Sequence, residues 1–153
     1  MKKFALLCLS VFLLASCKTA GDIKEQAVNC RYTLAQAQVV DYSASDVTLD
    51  IAVLITNTSK KTEANLNRFE GKLYVNDTDL GLVKFPDAMI PAGATVPVKT
   101  TLKVSLETVG KNIAGLVIMN SISMRYKIIG KMYFDTSLGQ LPMPVVIEQK
   151  IEE

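Results

Sequence analysis

The chain contains no histidine and no tryptophan, and only three of its 153 residues are cysteine. Without histidine, the usual general base, the usual activator of a nucleophile and the commonest metal ligand are all missing. No Cys-x-x-Cys pair, glycine-rich phosphate loop or His-Glu-x-x-His pattern occurs. Common zinc, nucleotide and triad mechanisms therefore lack their parts, and the sequence names no catalytic, cofactor-binding or metal-ligating residue. An excess of charge of one sign is lacking too. Of the 17 basic residues, loss of Lys2 and Lys3 with a leader leaves 15, equal to the 15 acidic ones. With no basic run, the linear sequence carries no electrostatic footprint for nucleic acid or for anionic headgroups.

Long apolar runs are scarce. The one at the start, Phe4 to Ala15, is about a dozen residues, against roughly 20 for a membrane-spanning helix. It follows the positive Met1-Lys2-Lys3 and ends in small residues, the layout of a secretory signal. Its last tetrapeptide, Leu14-Ala15-Ser16-Cys17, resembles the lipobox of bacterial lipoproteins. That resemblance implies a cut between Ser16 and Cys17, with diacylglyceryl on the Cys17 sulfur and a further acyl chain on its freed amine. An ordinary secretory signal with an incidental cysteine is the alternative. Several chains on one residue suit stable anchoring, because a single acyl chain binds a bilayer only marginally. The expected location is the bacterial cell envelope, lipid-anchored, in the outer membrane facing the periplasm, since Lys18 stands where an inner-membrane aspartate signal would.

The expected organisation is a signal peptide over residues 1–16, a polar tether over 17–29 and one folded domain over 30–151. Cys8 would leave with the signal and Cys17 would carry lipid, so Cys30 is the one thiol left. It could pair between molecules or act as a nucleophile, but with no histidine to activate it, a small buried residue on a strand is expected.

From Cys30 onward apolar and polar residues alternate with period two, the mark of half-buried strands. Val47, Leu49, Ile51, Val53 and Ile55 form one face of the clearest strand, with Thr48, Asp50, Ala52 and Thr56 on the other. Tyr32 to Tyr42 is its extended partner. Arg68 to Val75, a turn at Asn76 to Asp79, and Leu80 to Phe85 form a hairpin. Pro86, Pro91 and Gly93 punctuate an irregular crossing before the alternation of Val96 to Val104, where Pro97 argues for an edge. Leu106, Val109, Ile113, Leu116 and Val117 then fall at helical spacing behind the N-cap Ser105, predicting one short helix over about 106–118 that packs across the core. A ligand groove or membrane-surface helix is the alternative use of that stripe. Ile122 to Ile128 is a strand, Gly130 a turn, Met132 to Phe134 a strand, and Val145 to Ile151 a terminal edge strand. The pattern predicts a mostly β domain, an antiparallel β-sandwich of immunoglobulin/fibronectin-III-like type with about seven strands.

The order of several short pieces resembles the late embryogenesis abundant group 2 family, also called the water-stress and hypersensitive-response (WHy) domain. The pieces are Ile55-Thr56-Asn57 closing a long strand, Leu73-Tyr74-Val75-Asn76 with Leu80-Gly81 following, Ile90-Pro91-Ala92-Gly93, Tyr126-Lys127-Ile128-Ile129-Gly130 and Leu141-Pro142. Where the family usually has Asn-Pro-Asn, this chain has Asn57-Thr58-Ser59. The resemblance implies a sandwich associated with stress or desiccation protection and carries over no catalytic residue.

Asp77 and Asp79 could serve as a glycosidase pair or bind calcium, or simply form a hairpin turn. Asn57-Thr58-Ser59 and Asn76-Asp77-Thr78 match the glycosylation acceptor, which is idle in a bacterial lipoprotein. Three functions remain open. The first is a membrane-tethered protective or binding module that touches an envelope protein or an apolar ligand. The second is a structural accessory subunit of an envelope complex, and the third is a carboxylate-based enzyme.

Overall fold

Strand β2, Asp46–Asn57, buries Val47, Leu49, Ile51, Val53 and Ile55 to 3% exposure or less. This is the face that the alternation assigned to the core. The computed structural model describes residues 29–110 and 123–152, and around β2 it builds eight strands in two antiparallel sheets, a β-sandwich. The smaller sheet has the order β1-β2-β6, with β1 at Cys30–Tyr42 and β6 at Thr95–Ser105. The larger has the order β4-β3-β7-β8, with β3 at Ala64–Val75, β4 at Thr78–Phe85, β7 at Ser123–Thr136 and β8 at Gly139–Glu152. The short β5, Ala88–Ile90, pairs with the start of β3. Among the described residues no helix is long and apolar enough to cross a membrane.

The inner faces meet through Phe69, Leu73, Ile128, Met132 and Phe134 of the large sheet and the odd face of β2. Phe69 and Phe85, cross-strand partners, stack with centroids 4.8 Å apart. Burial of such side chains, at roughly 1.5–3 kcal/mol each, supplies most of the drive to fold.

Local chemistry closes the turns. Asn76 and Asp77 take φ of 47° and 67°, the two left-handed positions of a type I′ hairpin, so the turn is two residues long and β4 already begins at Thr78. Ser43 Oγ accepts from Asp46 N at 3.0 Å between β1 and β2. Pro97 lies on β6, an edge of the small sheet, as its missing N–H requires.

Three expectations give way. The helix foreseen over 106–118 is the single turn α1, Leu106–Val109, capped by Ser105 and ended by Gly110 at φ 76°; residues 111–118 lie outside those described. The positive φ of Gly110 stops the helix there. The turn foreseen at Gly130 is absent, because β7 runs unbroken from Ser123 to Thr136 with Gly130 opposite Gly71. The last strand starts at Gly139 rather than Val145, with Pro142 and Pro144 inside it. β8 is an edge, and two prolines two residues apart share one side of a strand, so both can face the open side without loss of ladder bonds.

Candidate functional site

The junction where β2 leaves the small sheet is held by one buried polar side chain. Asn57 is 1% exposed. Its Nδ2 donates to Thr62 O at 2.8 Å and to Ile90 O at 3.1 Å, and its Oδ1 accepts from Ser59 N at 3.0 Å. Ser59 Oγ in turn accepts from Thr62 N at 3.2 Å. The Asn57 N–H reaches Ala94 O at 2.9 Å, and Thr58 donates to Asn29 O through both N, at 2.7 Å, and Oγ1, at 2.5 Å. Asn57-Thr58-Ser59 thus ties together the starts of β1, β3 and β6 and the end of β5. Both Nδ2 donors of Asn57 are spent internally and the side chain is buried, so it is no glycosylation acceptor.

Exposed carboxylates, among them Asp77 and Asp79 of the hairpin, divide between two ends of the large sheet. Asp77 and Asp79 stand at the β3–β4 hairpin, while Asp87 and Asp135 flank the opposite end of β3, near Leu66. Asp77 is ion-paired with Arg125, whose backbone N donates to Asn76 Oδ1 at 3.0 Å and whose O accepts from Asn76 N at 2.9 Å. Arg125 Nε also lies 3.8 Å from Glu148. Lys72 Nζ binds Asp79 Oδ2 at 2.8 Å, while Gly81 N donates to Asp79 Oδ1 at 2.9 Å. The Lys72 hydrogen bond holds Asp79 below the usual carboxylate range, and Asp79 in turn raises Lys72. Asp135 accepts from Asn67 Nδ2 at 3.1 Å. Asp77 and Asp79 therefore serve separate cations, which is the arrangement of a hairpin clamp rather than of an acid–base pair. Arg125 had no signal in the sequence, because its role arises from cross-strand register.

Two concavities accompany these groups. One of about 420 Å³ is lined by Asn76, Asp77, Arg125 and Lys150. The other, about 170 Å³ on the outer face of the small sheet, is lined by Gln36, Asp50, Ala52, Lys99 and Thr101 among others, with Thr101 Oγ1 donating to Asp50 at 3.1 Å. Both are polar and open, suited to a small polar molecule or a contact. Among the described residues no three histidine, cysteine, aspartate or glutamate side chains converge as metal ligands.

Cys30 begins β1 and is buried, and burial pushes its thiol up to about 11. Ser16 and Cys17, the expected cleavage and lipidation residues, lie outside the described residues, as does the tether up to residue 28.

The family model described as late embryogenesis abundant protein matches residues 52–148, from the middle of β2 to the far part of β8. The solution structure of a late embryogenesis abundant (LEA) protein is similar with a TM-score of 0.55 at 15% identity, over 97% of this chain and 88% of that one. The solution structure of an Arabidopsis thaliana protein is similar with a TM-score of 0.56 at 12% identity, over 80% of each chain. At such identities the likeness is one of fold. No curated protein matches the chain. Since the family match spans more than half of the sequence, the chain belongs to the late embryogenesis abundant protein family.

Proposed function

We propose that this protein is a membrane-anchored, non-catalytic module of the cell envelope that acts by contact, in protection against water stress or desiccation. Family membership over residues 52–148 is the observation that carries the reading. In it, the chain is cut between Ser16 and Cys17, Cys17 holds the lipid, and the segment to residue 29 lets the sandwich reorient beside an outer membrane facing the periplasm. Its partner is another envelope protein or an apolar ligand. The engagement of Asp77 and Asp79 in ion pairs supports contact rather than proton transfer as the mode of action. Tethering raises local concentration and makes weak encounters effective.

Radiolabelled palmitate fed to cells tests the anchor, and survival after drying tests the role. Wild-type protein takes up label and raises survival; Cys17→Ala takes up none, is left uncut or miscut, and protects less. Deletion of Lys18 to Gln26 keeps the label but weakens protection. Label in the Cys17→Ala protein would overturn the anchor. Equal survival with and without the protein would overturn the protective role.

A further inference from the structure

Most of the sandwich's edges carry a device that stops another strand from adding to them. β1 is broken by bulges at Ala35 and Val40, β6 holds Pro97, and β4 is covered by β6, where Thr100 Oγ1 donates to Lys84 O at 2.6 Å. β8 is protected over its first half alone, by Pro142 and Pro144. Residues 146–152 hold no proline, glycine or bulge, pair with β7 on one side and, among the described residues, have no strand on the other. In a strand the N–H and C=O of one residue point to the same side and alternate from residue to residue. With Pro142 and Pro144 on the open side of an unshifted ladder, Val146, Glu148, Lys150 and Glu152 turn their backbone groups there too.

The order Glu148-Gln149-Lys150 is its own complement when a second copy runs antiparallel to it. Glu148 then meets Lys150 of the second copy on both sides of the axis, and each such pair exchanges both backbone hydrogen bonds. Within one chain Lys150 stands cross-strand from Arg125, cation beside cation, and Glu148 stands cross-strand from Lys127. Arg125 is ion-paired with Asp77 and lies 3.8 Å from Glu148. The second copy's Glu148 brings a further carboxylate to that row of cations.

At the axis Gln149 meets itself. Its side chain is half-buried on the inner face, alternating with Glu148 and Lys150, and its Oε1 is shut from water with no hydrogen-bond partner among the described residues. An acceptor withheld from water in this way destabilises the chain until a donor reaches it. Because the backbone groups of Gln149 face β7, the two Gln149 residues form a non-hydrogen-bonded pair with Cα atoms about 4.5 Å apart, close enough for the amide of each to donate to the other's Oε1.

We propose that residues 146–152 of β8 are a dimerisation edge, at which two copies of the chain join antiparallel about Gln149 into one sheet continuous across both sandwiches. β1 lies against β8 and finishes at the same end of the sandwich, so the exposed Val40 and Tyr42 of both copies come to the axis beneath the new ladder. The joint forms whether or not Cys17 is acylated.

The full chain in a neutral detergent is sedimented over a range of concentrations, and cysteine variants are oxidised. Wild-type protein moves from the mass of one copy to that of two as concentration rises. Gln149→Cys, on the axis, links to itself and runs at doubled mass without reductant, beyond any link that Cys8, Cys17 and Cys30 give in the wild type. Val146→Cys, about 20 Å from its own counterpart in this register, gives no added link. Val146→Pro extends the series of Pro142 and Pro144, keeps the far-ultraviolet spectrum and leaves one mass at all concentrations. Lys150→Glu sets carboxylate against carboxylate twice and weakens the dimer by about tenfold. A single-copy mass at every wild-type concentration, equal linking of Val146→Cys and Gln149→Cys, or a folded Val146→Pro protein that still dimerises overturns the proposal. Where Val146→Pro unfolds the chain, the two cysteine variants decide alone.

Discussion

Gly130 of β7 lies directly opposite Gly71 of β3, and the two backbones approach so closely that a side chain at Gly130 has no space. A Cβ there would fall on Glu70 O and come within 2.5 Å of Gly71 Cα, both backbone atoms that cannot swing aside. Gly130→Ala therefore separates the two central strands of the large sheet and costs about 3 kcal/mol. Lys131→Ala, one residue on and exposed, changes stability by less than about 0.5 kcal/mol. Urea denaturation of the two variants checks the contrast, and equal midpoints would refute the close approach.

The two faces of β2 make a second contrast. Ile51 and Val53 are 1% and 0% exposed, whereas Thr48 on the other face is half-buried. Ile51→Asp or Val53→Asp places an unpaired carboxylate between the sheets and costs several kcal/mol, on the order of 4, enough to unfold a marginal domain. Thr48→Asp costs less than about 1 kcal/mol. Circular dichroism melts of the three proteins suffice as the measurement.

Asn57→Ala removes two donors and one acceptor at once. Ser59 N, Thr62 O and Ile90 O lose their amide partner, for a cost of about 2–4 kcal/mol. Asn57→Asp keeps the acceptor for Ser59 N but turns a carboxylate toward two carbonyl oxygens, so at neutral pH it rescues little. Near-native stability of the aspartate variant would mean that the two carbonyl contacts contribute nothing.

Alkali destabilises the fold. Burial raises the Cys30 thiol from 9.0 to about 11. Tyr32 and Tyr126 shift upward for the same first cause, with Tyr32 pushed further by its neighbour Cys30. Among the described residues the buried Tyr32 hydroxyl has no hydrogen-bond partner to favour its phenolate. In all three the folded state prefers the protonated form. The contribution of Cys30 is complete below pH 9.0 and is lost as pH rises toward 11, and that of the two tyrosines is lost only as pH rises above 10.0, because the unfolded chain gives up its protons first. Chemical denaturation at a series of pH values between 8 and 11 reads this slope, and Cys30→Ala combined with Tyr32→Phe flattens it. A disulfide-exchange reagent at pH 8 modifies Cys30 slowly in the native protein and quickly in urea.

How much of this was legible beforehand depended on whether the cause was local. The alternation of Val47 to Ile55 needs only the period of a strand and marked the core face correctly. The Asn76-Asp77 turn was visible because those residues tolerate left-handed backbone. Gly130 was misread because glycine serves both turns and close approaches, and only the presence of Gly71 on a neighbouring strand distinguishes them. The helical spacing from Leu106 onward was real for one turn, yet periodicity does not report that Gly110 sits at φ 76°. Arg125 meeting Asp77 follows from the pairing of strands 50 residues or so apart. No window along the chain contains both partners.

The two hydrogen bonds that Thr58 makes to Asn29 O also determine where the domain bears mechanical load. Any pull arriving from residues before Asn29 enters the sandwich at that carbonyl, ahead of the first rung between β1 and β2. Because Thr58 follows directly on Asn57, tension is passed to a node fastened to β3, β5 and β6 and is not concentrated on the end of one ladder. A strand attached only by its ladder peels one bond at a time under a sideways force. Here the first step of peeling requires two bonds to one oxygen to fail together, so the point of attachment is reinforced where a tethered domain would be tugged.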